Sequence, residues 1–341
     1  MNGLERVMAA VRFQPTDRLP VVPQLFGHAA VLAGIKLVDY LHDGALLARC
    51  QLSAEARYGH DAVFAFMDLS VETEAVGSTL LYRDELYPDV AKYALRPGDD
   101  PARLRIPEPR QDGRMPELLH AVSLLRQEAG NRLLIAGSVV GPMTLATQLV
   151  GIEDALYFAA DDPDGFERLL DYATDVIITF GKAQLQAGAH VPVVFDPSAS
   201  PAVVPAAFFR EFLLPRLKKV LSAFRQNGAI TTWLNIAGPT APILPLHAEA
   251  GAEIANFDYY VSATEAQRCL PHTCLDGNLK SLDFVEATPE QVFKTAAALR
   301  DSFAGRGGFL LSSGCEIPPE SKPENIEAMI AACSTVPPWQ S

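Results

Sequence analysis

Cys315 closes the segment Phe309-Leu-Leu-Ser-Ser-Gly-Cys315, an apolar run that passes into small residues and is followed by Glu316-Ile-Pro-Pro319. A thiol at the end of such a strand can bind a soft metal as its thiolate or act as a nucleophile. Other chemistry-bearing side chains recur in the same setting, just past an apolar run: His28, Asp68, Asp196, Asn235, Asp258, Asp276 and Asn278. A carboxyl group there can serve as general acid or base once burial tunes its pKa, and an amide can donate to a carbonyl or ring nitrogen. Each aspartate also has a structural reading, as a cap that accepts a backbone N–H bond from the next helix. Asp68 stands out within Phe66-Met-Asp-Leu-Ser-Val-Glu-Thr-Glu-Ala-Val-Gly77, where Asp68, Val71 and Glu72 can share one face. Glu72 reads equally well as a solvated or capping carboxylate.

These residues need strands to present them, and the periodicity supplies eight: 19–25, 62–67, 132–139, 191–196, 229–236, 253–258, 272–277 and 308–314. Helical patterns lie between most of them. Over 205–225, Phe208, Phe209, Phe212, Leu213, Leu217, Val220 and Leu221 recur at three- and four-residue spacing, and over 289–303, Val292, Ala296 and Leu299 do the same. Strands alternating with helices through right-handed crossovers make a parallel sheet. Eight such repeats favour a closed (β/α)₈ barrel, of α/β class, over an open doubly wound sheet. In a barrel, the strand ends named above meet at one mouth. The pattern breaks over 78–104, at Leu80-Leu-Tyr-Arg-Asp84, Tyr87-Pro-Asp-Val90 and Pro97-Gly-Asp-Asp-Pro101, which reads as a hairpin and loop inserted after the second strand. Without a low-complexity linker or internal repeat, residues 1–341 are expected to form one barrel domain.

Composition sets the outer limits. The chain has 341 residues, 49% of them hydrophobic, enough for one large core. A net charge of -13 argues against nucleic acid as a partner, because phosphates demand clustered Lys and Arg. No apolar run reaches the ~18 residues of a membrane span, and the first residues read as an amphipathic helix, so a cytoplasmic location is expected. Five cysteines, an odd count, suit reduced thiols rather than a disulfide framework.

Several features have bland readings. Cys269, His272 and Cys274 have zinc-ligand types and spacing, yet on a strand His272 and Cys274 would lie below its end and pack inside the barrel. His42, His60, His120, His190 and His247 lack partners at ligand spacing and are expected to be structural or exposed. Gly305-Arg-Gly-Gly308 precedes a strand, whereas a phosphate loop opens a helix, so it reads as a tight turn.

Segment by segment, the chain resembles the uroporphyrinogen decarboxylase superfamily. Glu5-Arg-Val-Met-Ala-Ala-Val-Arg-Phe-Gln-Pro-Thr-Asp-Arg-Leu-Pro20 is similar to its opening helix and Asp-Arg-x-Pro lead into strand one, and the Asp68 segment to its strand-two motif. Gly141-Pro-Met-Thr-Leu-Ala-Thr-Gln148-Leu-Val-Gly151 resembles the helix after strand three in the corrinoid-dependent, methylcobamide:coenzyme M methyltransferase-like branch. Phe195-Asp-Pro-Ser-Ala-Ser200 with Phe209-Arg-Glu-Phe-Leu-Leu-Pro-Arg-Leu217, and Gly277-Asn-Leu279 with Thr288-Pro-Glu-Gln-Val292, resemble strands four and seven with their helices.

The resemblance implies a methyltransferase working with a corrinoid carrier that docks over the mouth. The chain has no Asp-x-His-x-x-Gly cobalamin-binding pattern, so a corrinoid protein, or free methylcobalamin, would bring the corrinoid to a small-molecule methyl donor or acceptor. Asp68, Asp196 and Asn235 are the expected catalytic residues, and His28, Glu72, Gln148, Asp258 and Asn278 the expected substrate contacts. The branch binds zinc through a His-x-Cys pair ending strand five and a cysteine ending strand eight. Cys315 fills the latter position, but strand five reads Leu234-Asn-Ile-Ala-Gly238, with Asn235 and Ala237 in place of the histidine and cysteine. The zinc site is therefore expected to be absent or weakened; the acceptor is a thiol or, given that loss, a folate-type amine, for which zinc is less necessary. The decarboxylase branch carries Arg-Gln-Ala-Gly-Arg after strand one, where this chain has Pro23-Gln-Leu-Phe-Gly-His-Ala29 without an arginine. A lyase acting on a smaller carboxylic acid and a non-catalytic binding protein on the same barrel stay open as alternatives.

Overall fold

The computed structural model describes residues 1–333; residues 334–341 of the expected barrel domain lie outside the described residues. Seven parallel strands pair in chain order: β1 (Ala62–Phe64), β4 (Leu134–Val140), β5 (Val191–Phe195), β6 (Trp233–Asn235), β7 (Ile254–Phe257), β8 (Cys274–Leu279) and β9 (Phe309–Ser313). A separate antiparallel hairpin, β2 (Thr79–Arg83) and β3 (Leu86–Lys92), occupies the insertion expected over 78–104.

The expected first strand, 19–25, shrinks to a bridge between Val21 and Leu311. Pro20 and Pro23 have no N–H and cannot extend a ladder. What is left still closes the ring. On one side Val22 N–H donates to Leu311 O and Leu311 N–H to Pro20 O; on the other Asp61 N–H donates to Val21 O at 2.9 Å.

Ion pairs reinforce this sparse seam. Asp61, 1% exposed, accepts from Val21 N–H at 2.8 Å, Arg6 Nη1 at 2.5 Å and Arg18 Nη1 at 2.7 Å. Arg6 also reaches Asp17 through Nε at 2.7 Å. The Asp-Arg-x-Pro lead thus works as a clamp on the barrel's closing edge.

Alternate strand residues fill the interior. Phe64, Leu134, Val193, Trp233, Ile254, Cys274 and Leu310 belong to one buried cluster, continuous with Phe26, Phe66 and Phe195. Phe26 stacks on Phe66 at 3.9 Å between centroids, and both meet Phe195 edge-on, so aromatic rings floor the mouth. One carboxyl sits inside: Asp276 accepts from Trp233 Nε1 at 2.6 Å and Asn256 Nδ2 at 3.1 Å, and burial pushes its pKa up to about 7. Cys274 packs in this interior while His272 is exposed, so the Cys269, His272 and Cys274 triplet does not converge.

The expected helix over 205–225 runs from Ala206 to Gln226 with a π turn at Phe209–Leu213. Pro215 follows the turn; it cannot donate to the helical ladder and its ring crowds the carbonyl one turn back, which the wider turn relieves.

Replacing Asp61 with Ala should leave Arg6 facing an empty buried site and destabilise the fold by about 3 kcal/mol in chemical denaturation. Asp84→Ala, which removes the exposed Lys36–Asp84 pair, should leave the midpoint nearly unchanged. Equal losses would contradict the clamp.

Asp276 gives a pH dependence. Its folded pKa lies above the ordinary carboxyl value, so its contribution is complete in acid and is lost as pH rises through about 7. Asp276→Asn removes the ionisation, so its Tm relative to wild type should climb between about pH 5 and pH 8. A pH-independent difference would show that the carboxyl ionises in the folded barrel as it does in water.

Candidate active site

The strand ends converge at the C-terminal face, where barrels of this type carry their ligand sites. A cavity of about 220 Å³ opens there between Phe66, Asp68, Leu69, Ser70, Tyr87, Pro88, Gln148 and Glu316. β1 delivers Phe66 and Asp68, the hairpin delivers Tyr87 and Pro88, the helix Pro142–Val150 delivers Gln148, and the turn after β9 delivers Glu316. Of the residues expected from sequence, Asp68 and Gln148 line this cavity.

Asp68 is not a free base. Arg114 Nη1 donates to its Oδ2 at 2.5 Å and Nη2 to its Oδ1 at 3.2 Å, while Ser70 donates to Oδ1 through both N–H and Oγ–H. Arg114 is saturated in turn, with Nε on Glu74 at 2.8 Å and Nη1 also on Leu41 O at 3.1 Å. This buried fork holds the Asp68 carboxylate in one orientation at the cavity wall. Gln148 is held by the Thr73 hydroxyl, which donates to its Oε1 at 2.5 Å.

Glu316 and Tyr87 were missed in the sequence. The Tyr87 hydroxyl donates to Glu316 Oε1, and Gly27 N–H approaches both, at 3.0 Å from the phenol oxygen and 3.3 Å from the carboxylate. Burial pushes the Glu316 carboxyl up to about 7, with the Tyr87 hydrogen bond restraining it. A carboxyl near neutrality on a cavity wall can give or take a proton. One signal for it was present: Glu316 directly follows Cys315 at a strand end. Tyr87 and Arg114 carried none, because only folding brings the hairpin and the helix Met115–Ala129 to this face.

Glu72 is 2% exposed and lies behind the wall formed by Phe66, Asp68 and Leu69, outside the cavity itself. Its Oε1 accepts from Val140 N–H at 3.0 Å, and burial raises its pKa to about 7.

Other expected site residues have structural duties. Asp196 caps a helix, but not the one that follows it: it accepts from Thr144 N–H at 2.8 Å and Thr144 Oγ1 at 2.7 Å, holding the N-terminus of the earlier helix Pro142–Val150 from the neighbouring strand, and its side chain makes no cap bond to Pro197–Ala199. A Cβ on Gly141 would lie 2.2 Å from that carboxyl, so only glycine fits. His28 is fully engaged, Nδ1 with Pro319 O at 3.1 Å and Nε2 with the Tyr58 hydroxyl at 3.0 Å, which leaves no ring nitrogen for a substrate; burial lowers its pKa. Asp258 accepts from Gly238 N–H at 2.8 Å and Tyr259 N–H at 2.7 Å, and Asn278 Nδ2 donates to Val261 O at 2.8 Å, so both tie mouth loops together. The Asn235 side chain, in a residue 5% exposed at the end of β6, has no hydrogen-bond partner among the described residues.

The donor set at the expected zinc position does not fit the metal. Cys315 Sγ lies 3.2 Å from Ser281 Oγ, and burial pushes the thiol pKa up. Asn235 and Ala237 offer no soft ligand. No three His, Cys, Asp or Glu side chains among the described residues group as metal ligands.

A family model described as uroporphyrinogen decarboxylase matches residues 2–336. The methylcobamide:CoM methyltransferase of Methanosarcina acetivorans is 27% identical over 336 residues, covering 96% of each chain. The uroporphyrinogen decarboxylase of Syntrophotalea carbinolica is 28% identical, over 87% of this chain and 85% of its own. A methyltransferase structure from Methanosarcina mazei superposes with a TM-score of 0.88 at 27% identity, covering 97% of this chain and 98% of that one. Sequence motifs, barrel and family model agree along the chain, which belongs to the uroporphyrinogen decarboxylase family.

Proposed function

We propose that this protein moves a methyl group between a corrinoid carrier and a small molecule whose reacting atom is nitrogen. The carrying observation is the pairing of a mouth cavity holding a proton-exchanging carboxyl, Glu316, with a strand-five end that reads Asn235-Ile-Ala237 where the thiol-activating relatives need metal ligands. Thiol acceptors react as thiolates, which a metal generates. An amine needs no such activation; it needs positioning and somewhere for a proton to go.

Each residue then has a role. The Asp68–Arg114 fork and Gln148 shape the wall and orient the substrate. Glu316, held by Tyr87, takes the proton from an amine that has gained a methyl group and returns it when the transfer runs backward. Asn235 donates from the mouth to a polar atom of substrate or carrier. Cys315 is a polar contact to Ser281 and not a ligand. The corrinoid is a second substrate, brought to the open face by its carrier or free in solution. A decarboxylase acting on a polyacid fits less well, since no basic side chain lines the cavity.

The test is cobalamin-dependent turnover, read from the absorbance change as free methylcobalamin is demethylated with amine acceptors present. Glu316→Gln should lower kcat by about 100-fold or more, whereas Cys315→Ser should stay near wild type. Loss of both activity and stoichiometric zinc in Cys315→Ser would restore the thiol reading, and no cobalamin-dependent turnover at all would turn attention to the lyase reading.

A further inference from the structure

The charge around the mouth cavity is one-sided. Its wall carries the carboxyl groups of Asp68 and Glu316, the amide of Gln148, the hydroxyl of Ser70 and the rings of Tyr87 and Phe66; no Lys, Arg or His side chain lines it. One guanidinium stands behind the wall, that of Arg114, and its nitrogens are taken by Asp68, Glu74, Ser70 and Leu41 O. An anion entering here would lose its hydration without finding a free counter-charge, whereas a cation would find the Glu316 carboxyl, whose ionised form its charge would favour, and the aromatic faces of Tyr87 and Phe66. At about 220 Å³ the cavity suits a molecule of few heavy atoms, smaller than a pterin or a tetrapyrrole.

We infer that the cavity takes a small methylated amine in its ammonium form, with carboxyl groups offsetting the charge and the Tyr87 and Phe66 rings facing the N-methyl groups. The inference rests on the methyl-transfer reading and names its substrate class. Toward the carrier, the carbon–nitrogen bond breaks with its electron pair left on nitrogen, the methyl carbon bonds to the reduced cobalt of the corrinoid, and a neutral amine departs. The charge disappears in that step, so the electrostatic attraction favours binding more than chemistry and is read in KM, apart from the kcat effect of proton exchange at Glu316.

The test is a titration calorimetry comparison on the intact protein without corrinoid, using choline, its uncharged tert-butyl isostere and mercaptoethanesulfonate. Choline should bind at least about tenfold more tightly than the isostere, with mercaptoethanesulfonate weakest. Glu316→Gln, checked for native circular dichroism, should erode the choline preference. Equal binding of choline and isostere, tighter binding of the sulfonate, or no binding of any of the three would overturn the inference. The two readings fail separately: choline binding with no cobalamin-dependent transfer defeats the methyltransferase reading alone, and cobalamin-dependent methylation of an anionic thiol defeats this one alone.

Discussion

Closure of the barrel depends on Asp61. The ring is joined between β9 and β1 by a segment in which prolines remove two of the available donors, leaving a handful of backbone hydrogen bonds. Asp61 compensates by accepting from Val21 N–H and from two arginines at once. A buried carboxylate is stabilising only when its charge is met and its lone pairs are filled, and here both conditions hold. The same residue donates its own N–H to Val21 O, so one position pins the seam through backbone and side chain together.

With the ring closed, every strand end faces one mouth, and the polar residues there divide by what surrounds them. Asp196 and Asp258 are saturated by amide N–H groups and hold loops; Asp68 is saturated by a guanidinium and a hydroxyl. Burial disfavours the charged form of a carboxyl: it raises the pKa of Asp258, carries Asp196 up to about 6, and carries Glu72 and Glu316, which accept fewer backbone N–H bonds from their surroundings, up to about 7. Aromatic rings close the floor beneath them and exclude water from below. Carboxyl groups of one chemical kind thus become anchors, caps or proton carriers according to their neighbours.

Much of this was legible in the sequence. Apolar runs alternating with helical periodicity specified a parallel barrel because a sheet with both faces covered is buried at every position, as β4 and β5 are, and so reads as a near-continuous apolar run. The break over 78–104 marked the hairpin, and the Asp196 segment carried its capping alternative openly. The weakest expectation was strand one, where apolar residues suggested a full strand and the prolines on either side allowed only a bridge.

By itself, the sequence determined the fold class, the set of strand-end residues and the presence of Asn235 and Ala237, neither of them a soft ligand, at the end of strand five, since these follow from local pattern and residue identity. Tertiary structure alone decided which carboxyl groups keep a proton. Arg114 reaches Asp68 across 46 residues and Tyr87 reaches Glu316 across 229, separations at which no local pattern signals contact. A pKa depends on those neighbours and on the depth of burial, and both exist only once the chain has closed on itself.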